Sequence, residues 1–514
     1  MNDAAYYRGG KLLLLYIALG LGTFIQILDS SIANVAIPYI AGNLSVSSDQ
    51  GTWVITSFSA SNAVVLPLTG WLSDYFGRVR LFVYSVILFS ITSFLCGFSS
   101  SLTMLVFFRI LQGAVAGSLI PLSQSLIVIN SPPEKQGSAL GFWVMIVVVA
   151  PVVGPILGGY ITEVYSWPWI FYINVPIGFI SAAITWILLK DRESKLVRLP
   201  IDWVGLFLLS AGVACLQIML DNGQDYDWFR SNLIIALLAI SFVSLAYFTV
   251  WNYHTDYPIV DFTVFKNRNF VFGTITVTVG YLLFFGSTVV IPLWLQTVQN
   301  YTPFWAGVAV APIGILPIFF SGIVGKNLWR FDLRDLACLS FLLFSYSFFY
   351  QAELTTDSSL AQIMFLRFIQ GAGLTIFFIP LVQLTLGSFP ANKYASASGI
   401  FNFIRILVGS GFGTSLSIAL WNRLETFHQS MLGEAISPYS TNTLQALKLM
   451  ESQLPALGGE VGRQVLALAV EQQAYMLATN DMSWLAGWTF LVVAFLPYLC
   501  HKVGTNGGAP SSTH

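Results

Sequence analysis

Apolar residues run along this chain in long blocks, and the short stretches between the blocks carry most of the charge. A helix needs about 20 apolar residues to cross the hydrocarbon core of a bilayer. Fourteen blocks meet that length, starting near Leu12, Thr52, Leu81, Leu102, Ala139, Trp167, Val204, Leu233, Phe270, Phe304, Leu336, Ile363, Ala395 and Trp484. The pattern therefore predicts an all-α membrane protein with fourteen spans.

The blocks repeat. Arg109-Ile110-Leu111-Gln112-Gly113, followed by Pro121 and Gln124, returns 258 positions later (367 less 109) as Arg367-Phe368-Ile369-Gln370-Gly371, followed by Pro380 and Gln383. The same offset from Leu12 points to Phe270, where a new apolar block opens. This divides the chain into a tail (1–11), a six-helix bundle (12–190), an inserted helix pair (201–251), a second six-helix bundle (270–502) and a second tail (503–514). A duplicated bundle with charge inside its spans is the architecture of a secondary transporter. The last span is expected near 425 by the repeat, yet its apolar block starts only at Trp484. The difference is an insert over 422–483, whose Thr441–Met450 and Val461–Met476 segments read as short amphipathic helices. It is either a lid on the membrane surface or a docking site for another protein.

Composition sharpens this picture. The chain is 56% hydrophobic and 9% charged with a mean hydropathy of +0.73, against about 25% charged in soluble domains. Lys and Arg collect on the cytoplasmic side of membrane proteins. Arg8, Lys11, Arg78, Arg80, Lys135, Lys190, Arg192, Lys195, Arg198, Lys266, Arg268, Lys326, Arg330, Arg334, Lys393 and Lys502 fall on one side, against Arg230, Arg423, Lys448 and Arg463 on the other. Both termini are therefore expected in the cytoplasm, and the first apolar block is too long for a signal-peptide core. The net charge of −1 argues for no nucleic-acid partner. Cys96, Cys215, Cys338 and Cys500 have no paired spacing, His254, His428, His501 and His514 form no metal pattern, and no GxxxxGK[ST] loop is present. No cofactor is implied, and ATP is not the evident energy source.

Within the spans, Asp29 reads as the sole acidic residue. It lies 17 residues after Leu12, about 25 Å along its helix, and Arg109 enters from the opposite side to a similar depth. A carboxylate there is either neutralised by a proton or paired with a cation, and alternating between the two couples a proton to a cargo. The bland alternative is that Asp29, with Gln26, Ser30 and Asn34 around it, merely hydrogen-bonds neighbouring helices. Arg405, near the midplane beside Asn402, either attracts an anionic cargo, responds to carboxylate protonation or braces the bundle. Arg367 is a weaker candidate, because the position matching Asp29 is Ser287. Trp143, Tyr281, Trp294, Phe377, Phe378 and Phe401 are candidates to line a cavity for flat apolar compounds, with Gln26, Asn34 and Asn402 as its polar members.

Two segments read as gating elements. Gly141 and Ala150-Pro151-Val152-Val153-Gly154-Pro155-Ile156-Leu157-Gly158-Gly159 put many helix-perturbing residues in one span, which predicts a kink and close packing between the halves. Gly70-Trp71-Leu72-Ser73-Asp74-Tyr75-Phe76-Gly77-Arg78-Val79-Arg80 is a tight cytoplasmic turn, in which Asp74, Arg78 and Arg80 are expected to form ion pairs in one gate state only. The matching turn, Gly322 to Arg334, is read as keeping the charge without the aspartate.

These residues resemble the major facilitator superfamily, and in particular its fourteen-helix drug:proton antiporters of the EmrB/QacA type. Leu28-Asp29-Ser30-Ser31-Ile32-Ala33-Asn34-Val35-Ala36-Ile37-Pro38 is similar to their first-helix signature, Gly70 to Arg80 to the superfamily's loop motif, and Arg109 with Gln112 and Gly113 to its fourth-helix motif. Ala150 to Gly159 resembles the fifth-helix motif associated with antiport. Trp167 to Gly178 also fits, with Pro168 where an Arg is usual. The resemblance implies a multidrug efflux protein of the bacterial inner membrane that exchanges hydrophobic toxic compounds for protons. It also implies a periplasmic adaptor of the EmrA type and an outer-membrane channel of the TolC type. A narrow-specificity exporter of one metabolite is the closer rival, and a non-transporting receptor that kept the fold is the more distant one.

Overall fold

The structure is a computed structural model. It describes residue 7 and residues 9–46, 48–132, 135–194, 196, 200, 202–223, 226–256, 258–436, 444–445 and 458–502. Most of the first tail, all of the second and most of Thr441–Met450 lie outside the described residues, as do Arg8, Lys195, Arg198 and Lys448.

The first bundle consists of α1 (Gly10–Asn43), α2 (Ser48–Val65) with α3 (Thr69–Phe76), α4 (Arg78–Gly97), α5 (Leu102–Ala116) with α6 (Leu119–Asn130), α7 (Gln136–Val164), and α8 (Trp169–Tyr172) with α9 (Asn174–Leu189). The inserted pair is α10 (Trp203–Asn222) and α11 (Asn232–His254). The second bundle comprises α12 (Arg268–Thr297), α13 (Pro303–Val310) with α14 (Ile315–Asn327), α15 (Leu333–Gln351), α16 (Leu360–Thr375) with α17 (Phe378–Leu386), α18 (Ala391–Ile404) with α19 (Gly413–Ala435), and α20 (Gly458–Val493). Several rods break at proline: the 3-10 turns Leu66–Leu68 and Ala311–Gly314 contain Pro67 and Pro312, each of which removes a backbone donor from the helical ladder.

Among the described residues, eleven helices are long and apolar enough to cross a membrane, or twelve if the bent α7 is one span. The α2–α3 run and α15 fall short of that test, so the architecture is compatible with fourteen spans. The protein is a multi-pass membrane protein. The inserted pair sits at the periphery, where α10 packs on α2 and α11 is apolar around its whole circumference, burying only Ile234, Ser241, Phe248 and Asn252. Such a helix suits lipid rather than water.

The two bundles meet mainly at the end that carries Arg78, Lys135, Arg330 and Lys393, here termed the basic end. A Cβ at Gly70 would stand 2.9 Å from Ser396, and one at Gly137 would stand 2.7 Å from the Gly325 carbonyl oxygen. Gly141 lies against the Ser321 carbonyl. Only glycine permits this backbone approach.

Two expectations change. The α7 rod is bent by 41° between Gln136–Pro151 and Ile156–Val164, as its composition predicts. Gly154 and Gly158, however, pack on Ser31 and Ile32 of α1 in the same bundle, while a Cβ at Gly159 would touch nothing within 4 Å. Pro151 is exposed, and the Pro155 side chain lies outside the described residues. The close glycine contacts with the other half come from Gly137 and Gly141, two turns and more earlier in the helix, while Ile156 of the segment lies near Gly307 of α13. Second, Val461–Met476 is no separate short helix but part of the 36-residue α20. Its Tyr475 and Met476 pack on Trp421 of α19.

Candidate functional site

The first cluster forms where α1, α2, α5 and α9 converge. Asp29 and Arg109 are both fully buried, and a guanidinium nitrogen of Arg109 lies 2.5 Å from Asp29 Oδ2. Arg109 Nε donates to the Val54 carbonyl at 2.9 Å and its NH1 to Gln112 Oε1 at 2.9 Å. The guanidinium also lies over the Phe58 ring at 4.3 Å, a cation–π contact. On the other side, Asp29 Oδ1 accepts from Gln112 Nε2 at 3.1 Å and from Asn174 Nδ2 at 2.8 Å, and Asn174 also donates to Ser93 Oγ at 3.1 Å. The structure thus brings Asp29 and Arg109 together. It also adds Asn174, which sequence reasoning passed over although it is the one amide in the apolar run from Trp169 to Gly178.

The second bundle repeats the arginine but not the acid. Arg367 donates to Gln370 Oε1 at 2.6 Å and to Gln351 Oε1 at 2.7 Å. Gln351 stands 258 positions after Ser93, so an amide that reaches the arginine replaces a hydroxyl that does not. Ser287 only donates to its own helix, to the Phe284 carbonyl.

The second cluster lies between the bundles. Arg405 opens a π-helical segment, Arg405–Phe412, a departure from regular helix that often marks a functional position. It donates to Tyr281 Oη and to Asn402 Oδ1, both at 2.5 Å. Its guanidinium lies 4.6, 5.0 and 5.8 Å from the ring centres of Tyr281, Phe378 and Phe401. Asn402 donates to Gln124 Oε1 of the first bundle at 2.9 Å. Trp143, also from the first bundle, stacks on Phe378 at 6.0 Å and donates to Ser123. Phe377 closes the aromatic group at 6.0 Å from Tyr281. Six of the nine candidate lining residues are therefore brought together here: Trp143, Tyr281, Phe377, Phe378, Phe401 and Asn402. Trp294 is not among them, since it is buried with Val290, Leu295 and Trp421 in a separate core. Gln26 is buried on α1 with its side-chain oxygen unpartnered, and Asn34 is exposed.

At the basic end, the turn around Gly77 is held by a residue that the motif does not contain. Glu193, beyond α9, accepts from Val79 N at 3.1 Å and Arg80 N at 2.9 Å, capping the otherwise uncapped start of α4. Gly77 has φ 88°, and a Cβ there would collide with the Glu193 carboxyl. Asp74 and Glu193 both act on Arg78 electrostatically, and Arg80 approaches Glu193 at 4.0 Å. In the matching turn, the expected loss of the aspartate is wrong: Asp332 stands 258 positions after Asp74 and caps α15. Hydrogen bonds from Arg334, joined by Lys502 at 3.4 Å, pull the Asp332 carboxyl down to about 2. Asp29 is likewise not the sole acid within a span, because α10 extends to Asn222 and so includes Asp221.

Residues 19–414 match the Major Facilitator Superfamily. The chain belongs to the Major Facilitator Superfamily. Among curated relatives, it is 46% identical over 491 residues to "Multidrug export protein EmrB" of Haemophilus influenzae, covering 94% of each chain. It is 43% identical over 501 residues to "Fatty acid resistance protein FarB" of Neisseria gonorrhoeae, covering 98% of each. Among solved structures, the proton:xylose symporter XylE superposes with a TM-score of 0.60 at 14% identity, over 94% of this chain and 97% of that one. That likeness establishes the shared superfamily fold. The two clusters are thus features of a superfamily transporter, one inside the first bundle and one between the bundles.

Proposed function

We propose that this chain is a proton-coupled antiporter of the bacterial inner membrane, with both termini cytoplasmic, that exports hydrophobic drugs and toxic compounds by alternating access. The observation that carries the reading is the fully buried Asp29–Arg109 pair. An ion pair removed from water is a poor way to stabilise a fold, whereas a carboxylate that exchanges its arginine for a proton is a coupling device. The relatives named as multidrug export proteins support the cargo class. In the basic-end-closed arrangement, Asp29 is held by Arg109, Gln112 and Asn174. Protonation removes its charge and frees Arg109, which weakens the α1–α5 contact and favours the alternative packing of the bundles. The aromatic group around Tyr281 and Phe378 offers flat apolar surface for the cargo. Efflux of a dye from vesicles containing this protein, driven by a proton gradient, tests the reading, and gradient-independent efflux would contradict it.

A second observation bears on cargo charge. No carboxylate of the described residues acts on buried Arg405, which is countered by a phenol, an amide and ring faces. This favours cargo able to present an anionic group, in keeping with a relative named for fatty acid resistance. Competition between lipophilic acids and lipophilic cations for dye efflux separates the readings.

The protein further acts as the inner-membrane pump of a tripartite system, with α19 and α20 meeting a periplasmic adaptor and through it an outer-membrane channel. Ser483 of α20 hydrogen-bonds Gln351 at the end of α15. The 25 residues of α20 before it amount to about 37 Å of helical rise beyond that level. Phe427, Met431 and Leu468 are exposed there. Changing all three to serine is expected to abolish resistance and adaptor crosslinking in cells while leaving vesicle transport intact. Loss of vesicle transport with crosslinking preserved would make the segment a lid.

A further inference from the structure

Asp221 belongs to neither cluster, yet one intervening side chain ties it to the π-helical segment. It lies in the last turn of α10 with its Oδ2 atom buried. Oδ1 accepts a 2.9 Å hydrogen bond from Gln217, one turn earlier. The Gln217 amide in turn faces Gly411 of the Arg405–Phe412 segment, where a Cβ would stand 3.4 Å from its oxygen. The Thr56 hydroxyl of α2 is the other side chain that hydrogen-bonds the carboxyl. Thr56 and Asn222 line a cavity of about 500 Å³ between α2, α5 and α10 that is otherwise mostly apolar.

Among the described residues, no cation answers this carboxyl. The π-helical segment contributes Arg405, which is occupied by Tyr281 and Asn402. From α11 come Tyr247, Tyr253 and His254, all toward the basic end, whereas Asp221 sits at the opposite end. The turn after α10 carries exposed Tyr226, Asp227 and Arg230. Among the described residues, none of these charges acts on Asp221. An ionised carboxylate held in apolar surroundings without a counter-charge is expensive, and binding a proton is the ordinary escape.

We propose that Asp221 is a second proton-binding carboxyl, placed on the inserted helix pair and linked through Gln217 to the position of the π-helical segment that carries Arg405. With Gln217 docked against Gly411, the carboxyl is enclosed and takes a proton. When the segment moves, Gln217 moves with it and the carboxyl opens to the cavity and releases the proton. The inserted pair would then sense the transport cycle rather than only widen the bundle. Its use in export rests on the antiport reading above, but the site itself does not.

Infrared spectroscopy of the full chain in lipid vesicles tests the site directly, using protons alone as the ligand. At neutral pH, a protonated-carboxyl band is expected that survives in Asp29→Asn and is lost in Asp221→Asn. An unchanged band in Asp221→Asn overturns the proposal. Gln217→Leu keeps the carboxyl but removes its donor, so the pH at which the band titrates should move by more than half a unit. A band that does not move breaks the link to the π-helical segment. In transport, Asp221→Asn should flatten the pH profile of dye efflux and Asp221→Glu should restore it. If the wild type shows no gradient-driven efflux at all, the antiport reading fails while the band still decides whether Asp221 binds a proton.

Discussion

Replacing Arg109 by Met and Asp29 by Asn, singly and together, tests whether the buried pair is a unit. Met matches much of the arginine's volume, so the comparison isolates charge rather than a cavity. Both side chains are fully buried, and breaking such a pair from one side costs about 3 to 5 kcal/mol, because the other charge is left uncompensated. Asp29 keeps its bonds from Gln112 and Asn174 when Arg109 is lost, and Arg109 keeps Val54 and the Phe58 ring when Asp29 is neutralised. Each single loss should therefore sit near the lower figure, about 3 kcal/mol, roughly a hundredfold in the folded ratio. The double variant leaves neither charge unpaired, so its loss should fall short of the sum by about 3 kcal/mol. Denaturant unfolding of the four proteins in one detergent measures this coupling. Additivity within about 0.5 kcal/mol would mean that the two groups do not interact.

Three further outcomes follow from other sites. Arg405→Gln should raise the apparent KM for lipophilic acids at least tenfold and leave lipophilic cations nearly unaffected; equal effects on both would remove the anion reading. Gly137→Val forces a side chain against the Gly325 carbonyl. At about 1 to 3 kcal/mol of overpacking, it should open the basic end, so that a cysteine placed at Ser396 is labelled faster from that side while membrane insertion is normal. Asp332 has its folded pKa depressed to about 2 from 3.8 by its hydrogen bonds with Arg334. Its contribution to stability is thus fully present above the unfolded value and lost as pH falls from about 4 towards 2. The stability gap between wild type and Asp332→Asn should be constant above that window and close within it; a gap that persists to pH 2 would show that Asp332 acts through its shape.

The bundle plan was legible because lipid demands apolar blocks of fixed length, and the 258-residue repeat set the register of both halves. Asp29 and Arg109 could be paired from depth alone, since a helix advances a fixed distance per residue. Partners supplied by distant segments could not. Asn174 and Glu193 owe their roles to how α9 and its following loop pack against α4, which no local spacing encodes. Trp294 went to the wrong group because an aromatic residue in a span looks the same whether it faces a cavity or a core. Asp221 escaped notice because it sits in the last turn of its span, where apolar pattern alone does not fix the boundary. The glycines of Ala150 to Gly159 signalled close packing correctly, but composition does not say which helix approaches, and the answer was α1 rather than the second bundle.

Proton movement measured together with dye movement, in vesicles containing the wild type or Asp29→Asn, tests the central claim most directly. The wild type should expel dye only as protons move the opposite way, and an imposed proton gradient should drive dye uphill. Asp29→Asn should still carry dye down its own gradient but move no protons with it. Uphill, proton-driven efflux by Asp29→Asn at the wild-type rate would contradict the account.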